Sequence, residues 1–209
     1  MPIICPTVLA EDSHAFRSQM ERIEPFAKRL QIDLTDGSMT PGKTVALEHV
    51  WWPKTAQADL HLMYKHPVLQ LKHLVDLKPH LGIVHAEAEG NFLNLAKVLH
   101  KYDVKVGVAV LPATDLETIK PALNFIDHLL IFSGSLGSFG GQADLDLLAK
   151  VRLAKKWKPQ LEIGWDGGVN DGNIKALADG GVEVLNVGGF IQKAADPLAA
   201  YAKLKVCLR

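Results

Sequence analysis

An apolar run that ends in a carboxylate and is followed at once by two glycines, Leu161-Glu-Ile-Gly-Trp-Asp166-Gly-Gly-Val169, carries more chemical information than any other stretch of this 209-residue chain. Further on, Val184-Leu-Asn-Val-Gly188-Gly-Phe190 repeats the design with its own glycine pair. Backbone N–H groups that no side chain covers, next to helix N-termini, are what a phosphate group binds. Two successive strands that each deliver a glycine pair into a following helix predict a paired anion cradle, with Gly168, Gly188 and Gly189 in it. Asp166 would then face whatever carries the phosphate.

Two further carboxylates and an imidazole stand in strand-like surroundings. Side chains alternate across a strand, so in Leu30-Gln31-Ile32-Asp33-Leu34-Thr35 one face holds Gln31, Asp33 and Thr35. By the same rule Asp59, His61 and Met63 share a face of Ala58-Asp59-Leu60-His61-Leu62-Met63. Charged groups in a packed interior are costly unless paired or bound to a cation. Asp33, His61 and Asp166 would satisfy one another by converging on one divalent ion such as zinc, manganese or iron. Each has a bland reading: Asp33 as a loop-capping carboxylate, His61 as a satisfied core histidine, Asp166 as an Asx turn. Three unrelated turns, however, would not need polar residues on the inner faces together. His49, His66, His73, His80, His100 and His128 are expected on helices or loops, in solvent. His85, at the end of Ile83-Val84-His85, reads equally as core or as site.

The elements that must position these groups alternate regularly. Strand-like runs cover 3–8, 30–35, 57–63, 81–86, 104–110, 126–132, 161–165 and 184–188. Helix-like stretches cover 13–28, 44–53, 67–78, 91–101, 115–122, 144–157, 171–179 and 196–206. Asp12-Ser13 and Asp115 read as helix caps and Gly180-Gly181 as a helix stop. Eight βα units favour a closed (β/α)₈ TIM barrel over an open sheet, as one domain spanning 1–209. No Gly-x-Gly-x-x-Gly follows the first strand, which argues against a dinucleotide site. In such barrels catalytic residues sit at the C-terminal ends of the strands, and phosphate commonly binds after strands seven and eight, here the last two strand signals. With 48% hydrophobic residues the chain can bury a large core, and 23 acidic residues balance 23 basic ones. No basic stripe points to nucleic acid or an anionic membrane. Cys5 and Cys207 show no disulfide or metal spacing, and the N-terminus shows no signal-peptide pattern, so a cytoplasmic protein is expected.

The order of motifs resembles the ribulose-phosphate 3-epimerase family across nearly the whole chain. Ile4-Cys-Pro-Thr7-Val-Leu is similar to that family's first-strand Ala-Pro-Ser-Ile-Leu, Asp33-Leu-Thr-Asp36-Gly37 to its Asp-x-Met-Asp-Gly, and Asp59-Leu-His61-Leu-Met63 to its Asp-Val-His-Leu-Met. Gly107-Val-Ala-Val-Leu-Pro112-Ala-Thr114 follows its fifth strand, Phe139-Gly-Gly-Gln142 its sixth-strand loop, and Asp166-Gly-Gly-Val169 and Val187-Gly188-Gly189 its last two turns.

The resemblance implies a barrel of the ribulose-phosphate-binding type and a small phosphorylated sugar as partner. It implies a sugar-phosphate 3-epimerase that interconverts D-ribulose 5-phosphate and D-xylulose 5-phosphate through an enediolate. Asp33 and Asp166 would be the acid–base pair, and Asp33, His61 and Asp166 ligands of a divalent metal (Zn, Mn, Fe or Mg). Gly140, Gly141, Gly168, Gly188 and Gly189 would hold the phosphate, with Thr7, Met63 and Gln142 near the substrate, and a homo-oligomer is expected. The chain departs from the family at Gln31, where a ligand histidine stands. A Gln carbonyl can ligate a hard cation but suits zinc less well than imidazole. It also departs at Ala10, Thr35, Leu111, Ser133 and Gly137-Ser138. A non-catalytic or substrate-shifted phosphosugar-binding paralogue is the competing reading. A lysine-dependent aldolase or decarboxylase ranks low, because Asp33-Leu-Thr-Asp36 lacks the Asp-x-Lys-x-x-Asp lysine. Trp51-Trp52 is either an oligomer patch or helix packing.

Overall fold

Every residue of the second strand, β2 (Arg29–Thr35), is buried, so both of its faces must be covered, as in parallel sheets wrapped by helices. The computed structural model describes residues 1–209. The other strands are β1 (Ile3–Val8), β3 (Gln57–Met63), β4 (Leu81–His85), β5 (Lys105–Val110), β6 (His128–Phe132), β7 (Glu162–Asp166) and β8 (Val184–Val187). Each pairs in parallel with the next, and β8 pairs back with β1, closing the barrel. The expected (β/α)₈ fold is the one observed, and each expected strand lies within two residues of its actual ends.

Period-two alternation divides the strands cleanly. Leu30, Ile32 and Leu34 of β2 and Leu60 and Leu62 of β3 face outward into the core shared with the helices. Inside the barrel, Leu81, Ile83, Ala109 and Leu130 form a separate apolar cluster. Polar groups are confined to the two ends of the interior. At the N-terminal end, buried Arg29 pairs with Asp59 at 2.7 Å and with both carboxylate oxygens of Glu162 at 2.8 Å. His128 Nδ1 lies 2.7 Å from Glu162 Oε2. His128, expected in solvent, is therefore corrected to a buried residue at the start of β6. One charged residue at the edge of a strand run gave no sign of the ion pair waiting for it.

The helices follow the expected order with informative differences. In α1 (Ser13–Ile23), Asp12 caps the N-terminus by accepting from the His14 and Ala15 N–H groups. The helix stops well short of 28, since Pro25 has no N–H to continue the ladder. The stretch 44–53 is not an α-helix but a single 3₁₀ turn at Leu47–His49. Pro53 disfavours helical backbone at the residue before it. Trp51 there packs edge-on against Phe16, with ring centroids 5.9 Å apart, and Trp52 lies against the core. The stretch 115–122 is also 3₁₀ (Leu116–Phe125), because Pro121 inside it cannot donate to an i−4 carbonyl. Asp115 caps it as expected, accepting from the Glu117 N–H.

The remaining helices are α2 (Leu71–Leu77), α3 (Phe92–Lys101), α4 (Leu148–Trp157), α5 (Ile174–Asp179), α6 (Gly189–Gln192) and α7 (Pro197–Cys207). The β7 glycine pair does not open a helix directly, a further correction. Asn170 and Asn173 intervene: Asn170 N–H donates to Asn173 Oδ1 at 2.9 Å, and both side-chain amides donate to the Gly168 carbonyl. This Asx-type turn delays α5 to Ile174 and fixes the glycine pair in place. No helix is long and apolar enough to cross a membrane.

Candidate active site

At the C-terminal end of the barrel, β2 and β3 pair in register so that Asp33 and His61 are direct neighbours on the inner face. His61 Nδ1 lies 2.8 Å from Asp33 Oδ1. Asp166, last residue of β7, reaches in from three strands away around the barrel and brings Oδ2 to 3.9 Å from the same nitrogen. Ligand atoms of Asp33, His61 and Asp166 all lie within 4.8 Å of one another, so the structure brings together the three residues expected to converge.

Gln31 joins them in an instructive way. Its side-chain N–H₂ donates one hydrogen bond to Asp33 Oδ1 at 2.8 Å and another to Asp166 Oδ2 at 2.6 Å. Its carbonyl Oε1 is buried with no partner. An amide thus bridges the two carboxylates, each on a different strand.

The electrostatics follow from burial. Removal from water raises Asp33 from an ordinary 3.8 to about 7, against a lowering hydrogen bond from Gln31. Burial, reinforced by the charge of Asp33, raises Asp166 to about 7 as well. His61, fully enclosed, is lowered to about 4 and stays neutral. Two interacting carboxylates poised near neutrality divide protons between them, which is what a site needs to offer an acid and a base together.

A cavity of about 250 Å³ opens above these groups. Thr7, Met63, Gly140, Gly141, Gly168, Gly188 and Gly189, all expected at the site, line it together with Asp33, His61 and Asp166. Gln142 does not: it is exposed, and only its carbonyl takes part locally, accepting from the Ser133 hydroxyl at 3.4 Å. Two glycines are sterically required here. At Gly168, φ is +71° and a Cβ would fall 2.2 Å from the Ala143 nitrogen. At Gly188 a Cβ would meet the Phe139 ring at 2.5 Å and Thr7 Oγ1 at 2.6 Å.

Other cavity residues were not anticipated. Asn186, paired in register with Asp166, is buried with an unpartnered Oδ1 and lines the cavity. Inward parity on β8 was the available signal. Lys193 is the single lysine or arginine lining the cavity, one turn after Gly189. Nothing in its local sequence separates it from the chain's other surface lysines. His85 resolves to the site side: its Nε2 lies 2.8 Å from His61 Nε2, and its Nδ1 is 3.2 Å from Glu87 Oε2.

A mouth at the C-terminal end of a (β/α)₈ barrel, with paired carboxylates on its floor and glycine turns on its rim, defines a candidate acid–base site of the barrel enzymes. The chain belongs to the ribulose-phosphate 3 epimerase family, whose profile matches residues 3–192. It is 32% identical over 201 residues to ribulose-phosphate 3-epimerase of Helicobacter pylori, covering 92% of each chain. It is 29% identical over 214 residues to that of Aquifex aeolicus, covering 98% of this chain and 96% of the relative. Among solved structures, 3-hexulose-6-phosphate synthase from Salmonella typhimurium superposes with a TM-score of 0.75 at 15% identity, over 100% of this chain and 98% of that one. KGPDC from Streptococcus mutans, in complex with a phosphosugar, gives 0.70 at 12%, over 99% and 97%. At such identities these two likenesses speak for the fold alone.

The raised carboxylates have a measurable consequence in the metal-free protein. The unfolded chain releases these protons near 3.8, whereas the folded protein holds them until about 7. Between those values the native state binds more protons, so this contribution to stability is full below pH 4 and is lost as pH rises through 7. Asp33→Asn combined with Asp166→Asn removes it. Urea denaturation at pH 5 and pH 8 is expected to show the variant gaining about 2 kcal/mol or more on the wild type across that interval. A pH-independent difference would refute the assignment.

Proposed function

We propose that the protein is a sugar-phosphate 3-epimerase acting on D-ribulose 5-phosphate and D-xylulose 5-phosphate. The observation that carries this reading is the pair Asp33 and Asp166, brought from β2 and β7 to one amide and both raised to about 7. One aspartate removes the proton from C3, beside the C2 ketone, and electrons flow into the carbonyl to give a cis-enediolate. The other returns a proton to C3 from the opposite face. Positioned acid–base groups contribute roughly 10²–10⁴-fold each. The phosphate lies against the backbone of Gly140, Gly141, Gly168, Gly188 and Gly189, at the far side of the cavity from the carboxylates. Lys193 at the rim adds a compensating charge, and Thr7, Met63 and Asn186 flank the sugar. The phosphosugar in the Streptococcus mutans structure is support in kind for such a ligand in this fold.

The donor set fits a divalent cation: two carboxylates and a neutral imidazole within one coordination radius, with a buried Gln31 oxygen lacking any partner beside them. When bound, such a cation supplies electrostatic stabilisation of negative charge on the substrate oxygens. The protein's own contribution is to hold both aspartates at fixed spacing, to keep His61 neutral, and to enclose the reacting carbon.

Gln31 favours a variation on this reading. In the orientation observed, its N–H₂ occupies a lone-pair direction of each carboxylate. A cation between the aspartates requires the amide to turn so that Oε1 faces inward, which exchanges two hydrogen bonds for one neutral ligand. The site should therefore bind cations less tightly than one with a fourth imidazole, and prefer manganese or magnesium to zinc.

Three outcomes test the proposal. In deuterium oxide the wild type should place deuterium at C3 of the epimerised product. Asp33→Asn and Asp166→Asn should each lose at least about 10²-fold in turnover, and full activity of either would exclude a two-base mechanism. Gly189→Asp introduces a charge where a Cβ meets only ordinary contacts, the nearest at 3.7 Å. Calorimetry should show phosphosugar affinity reduced at least about tenfold with the melting temperature unchanged; undiminished affinity would move the phosphate elsewhere. Gln31→His should tighten zinc binding and raise epimerase activity when metal is limiting. If the purified protein holds no metal, ignores EDTA and gains nothing from that substitution, Gln31 serves as a hydrogen-bond donor to the enediolate instead.

A further inference from the structure

Behind His61, away from the cavity, runs a chain of contacts that the proposed chemistry does not use. His61 Nε2 meets His85 Nε2 at 2.8 Å, and His85 Nδ1 meets Glu87 Oε2 at 3.2 Å. The ring centroids of the two histidines are 5.0 Å apart with an interplanar angle of 29°. Given the nitrogen spacing, that separation means the rings meet edge to edge, as an in-plane hydrogen bond requires. Phe132 packs against both rings, its centroid 6.1 Å from His61 and 6.2 Å from His85.

The far end of this chain is fixed. Glu87 Oε1 accepts from the Leu111 N–H at 3.1 Å and from the Thr114 hydroxyl. The loop carrying those donors is held in turn by Lys150, whose ammonium donates to the carbonyls of Leu111, Pro112 and Thr114 at 2.7–2.9 Å. Burial alone would push the Glu87 carboxyl up, but the bonds from His85, Thr114 and Leu111 outweigh it and lower it to about 2.

Counting donors then determines every proton. An ionised carboxylate only accepts, so His85 must present Nδ1–H to Glu87. A neutral His85 then has a bare Nε2, and the 2.8 Å contact requires His61 to present Nε2–H. A neutral His61 is left with its Nδ1 lone pair pointing at Asp33 and Asp166. Asp33 Oδ1, 2.8 Å away, is also an acceptor, so a proton or a cation must lie between them.

We infer that Glu87 and His85 are positioning residues that fix the tautomer of His61 and aim its Nδ1 lone pair into the Asp33–Asp166 site. Lys150 and the 111–114 loop hold the relay in place. The purpose of the relay rests on the reading of His61 as a cation ligand, whereas its existence does not. Residues that orient a ligand histidine are commonly worth roughly 10–100-fold in metal affinity.

Glu87→Gln tests this without changing shape. The two donors at the Oε1 position will hold the amide oxygen, which turns the N–H₂ toward His85 Nδ1. Each hydrogen bond in the relay then reverses: His85 becomes Nε2–H and His61 becomes Nδ1–H, its lone pair withdrawn from the site. Long-range ¹H–¹⁵N spectra of the metal-free protein should show His61 as the Nε2–H tautomer in the wild type and as Nδ1–H in Glu87→Gln. Titration with Mn²⁺ against a competing chelator should show affinity falling roughly 10–100-fold in the variant. An Nδ1–H His61 in the wild type, or a tautomer that Glu87→Gln leaves unchanged, overturns the inference. The expected tautomers in a wild type that binds no Mn²⁺ would uphold the relay and overturn only the reading of His61 as a ligand.

Discussion

Two carboxylates buried within hydrogen-bond reach of one amide are the constraint to which the rest of this structure answers. Isolated buried carboxylates are too costly to stay ionised, and two together raise each other further. The barrel does not solve this with an arginine or a lysine, as it could have. It places only neutral groups around Asp33 and Asp166: the Gln31 amide, an uncharged His61 and the turn after β7. The result is a site with a standing demand for positive charge, met by a proton on the pair or by a cation between them. Acid–base chemistry needs that kind of incompleteness, because an aspartate locked to an arginine would be too weak a base to take a proton from carbon.

The other end of the same barrel shows what a completed buried network looks like. Arg29 there serves Asp59 and both oxygens of Glu162, and His128 closes the group. That network places the only guanidinium of the barrel interior as far from the cavity as the strands allow. Between the ends, Leu81, Ile83, Ala109 and Leu130 form a dry layer. The layer matters electrostatically as well as sterically, because it keeps the Arg29 charge from quenching the raised carboxylates. Stability is thus concentrated at the N-terminal end of the strands and reactivity at the C-terminal end, the division that this fold supports generally.

Much of this was legible in the sequence, for physical reasons that can be named. Strand positions follow from period-two burial, and the inner-face parity of Gln31, Asp33, Asp59 and His61 follows with them. Parity alone could not say which end of the barrel each polar residue serves: Asp59 and His61 share a face yet belong to opposite networks. The Pro25, Pro53 and Pro121 effects were also readable but were overridden by apparent helical periodicity. The Asn170–Asn173 turn shows the same limit, since a glycine pair suggests a helix start while two amide side chains postpone it. His85 was undecided because a histidine at a strand end is core or site according to what lies across the barrel. His128 and Lys193 depended wholly on tertiary partners.

Charge balance explains why the phosphate site in the proposed reading is built of backbone rather than of arginines. A phosphosugar brings two negative charges into a cavity whose floor already holds two raised carboxylates. Strong cations at the rim would lower both aspartates through the low-dielectric interior and remove the base strength that burial creates. Backbone N–H groups at glycine turns bind phosphate through short-range dipoles whose influence fades over the length of a pentose. Lys193, on the exposed turn after α6, is far enough into solvent for its charge to be screened from the floor while still attracting an anion to the mouth. The glycines at 140, 141, 168, 188 and 189 and the single rim lysine therefore follow from the same requirement that leaves Asp33 and Asp166 without a permanent counter-ion.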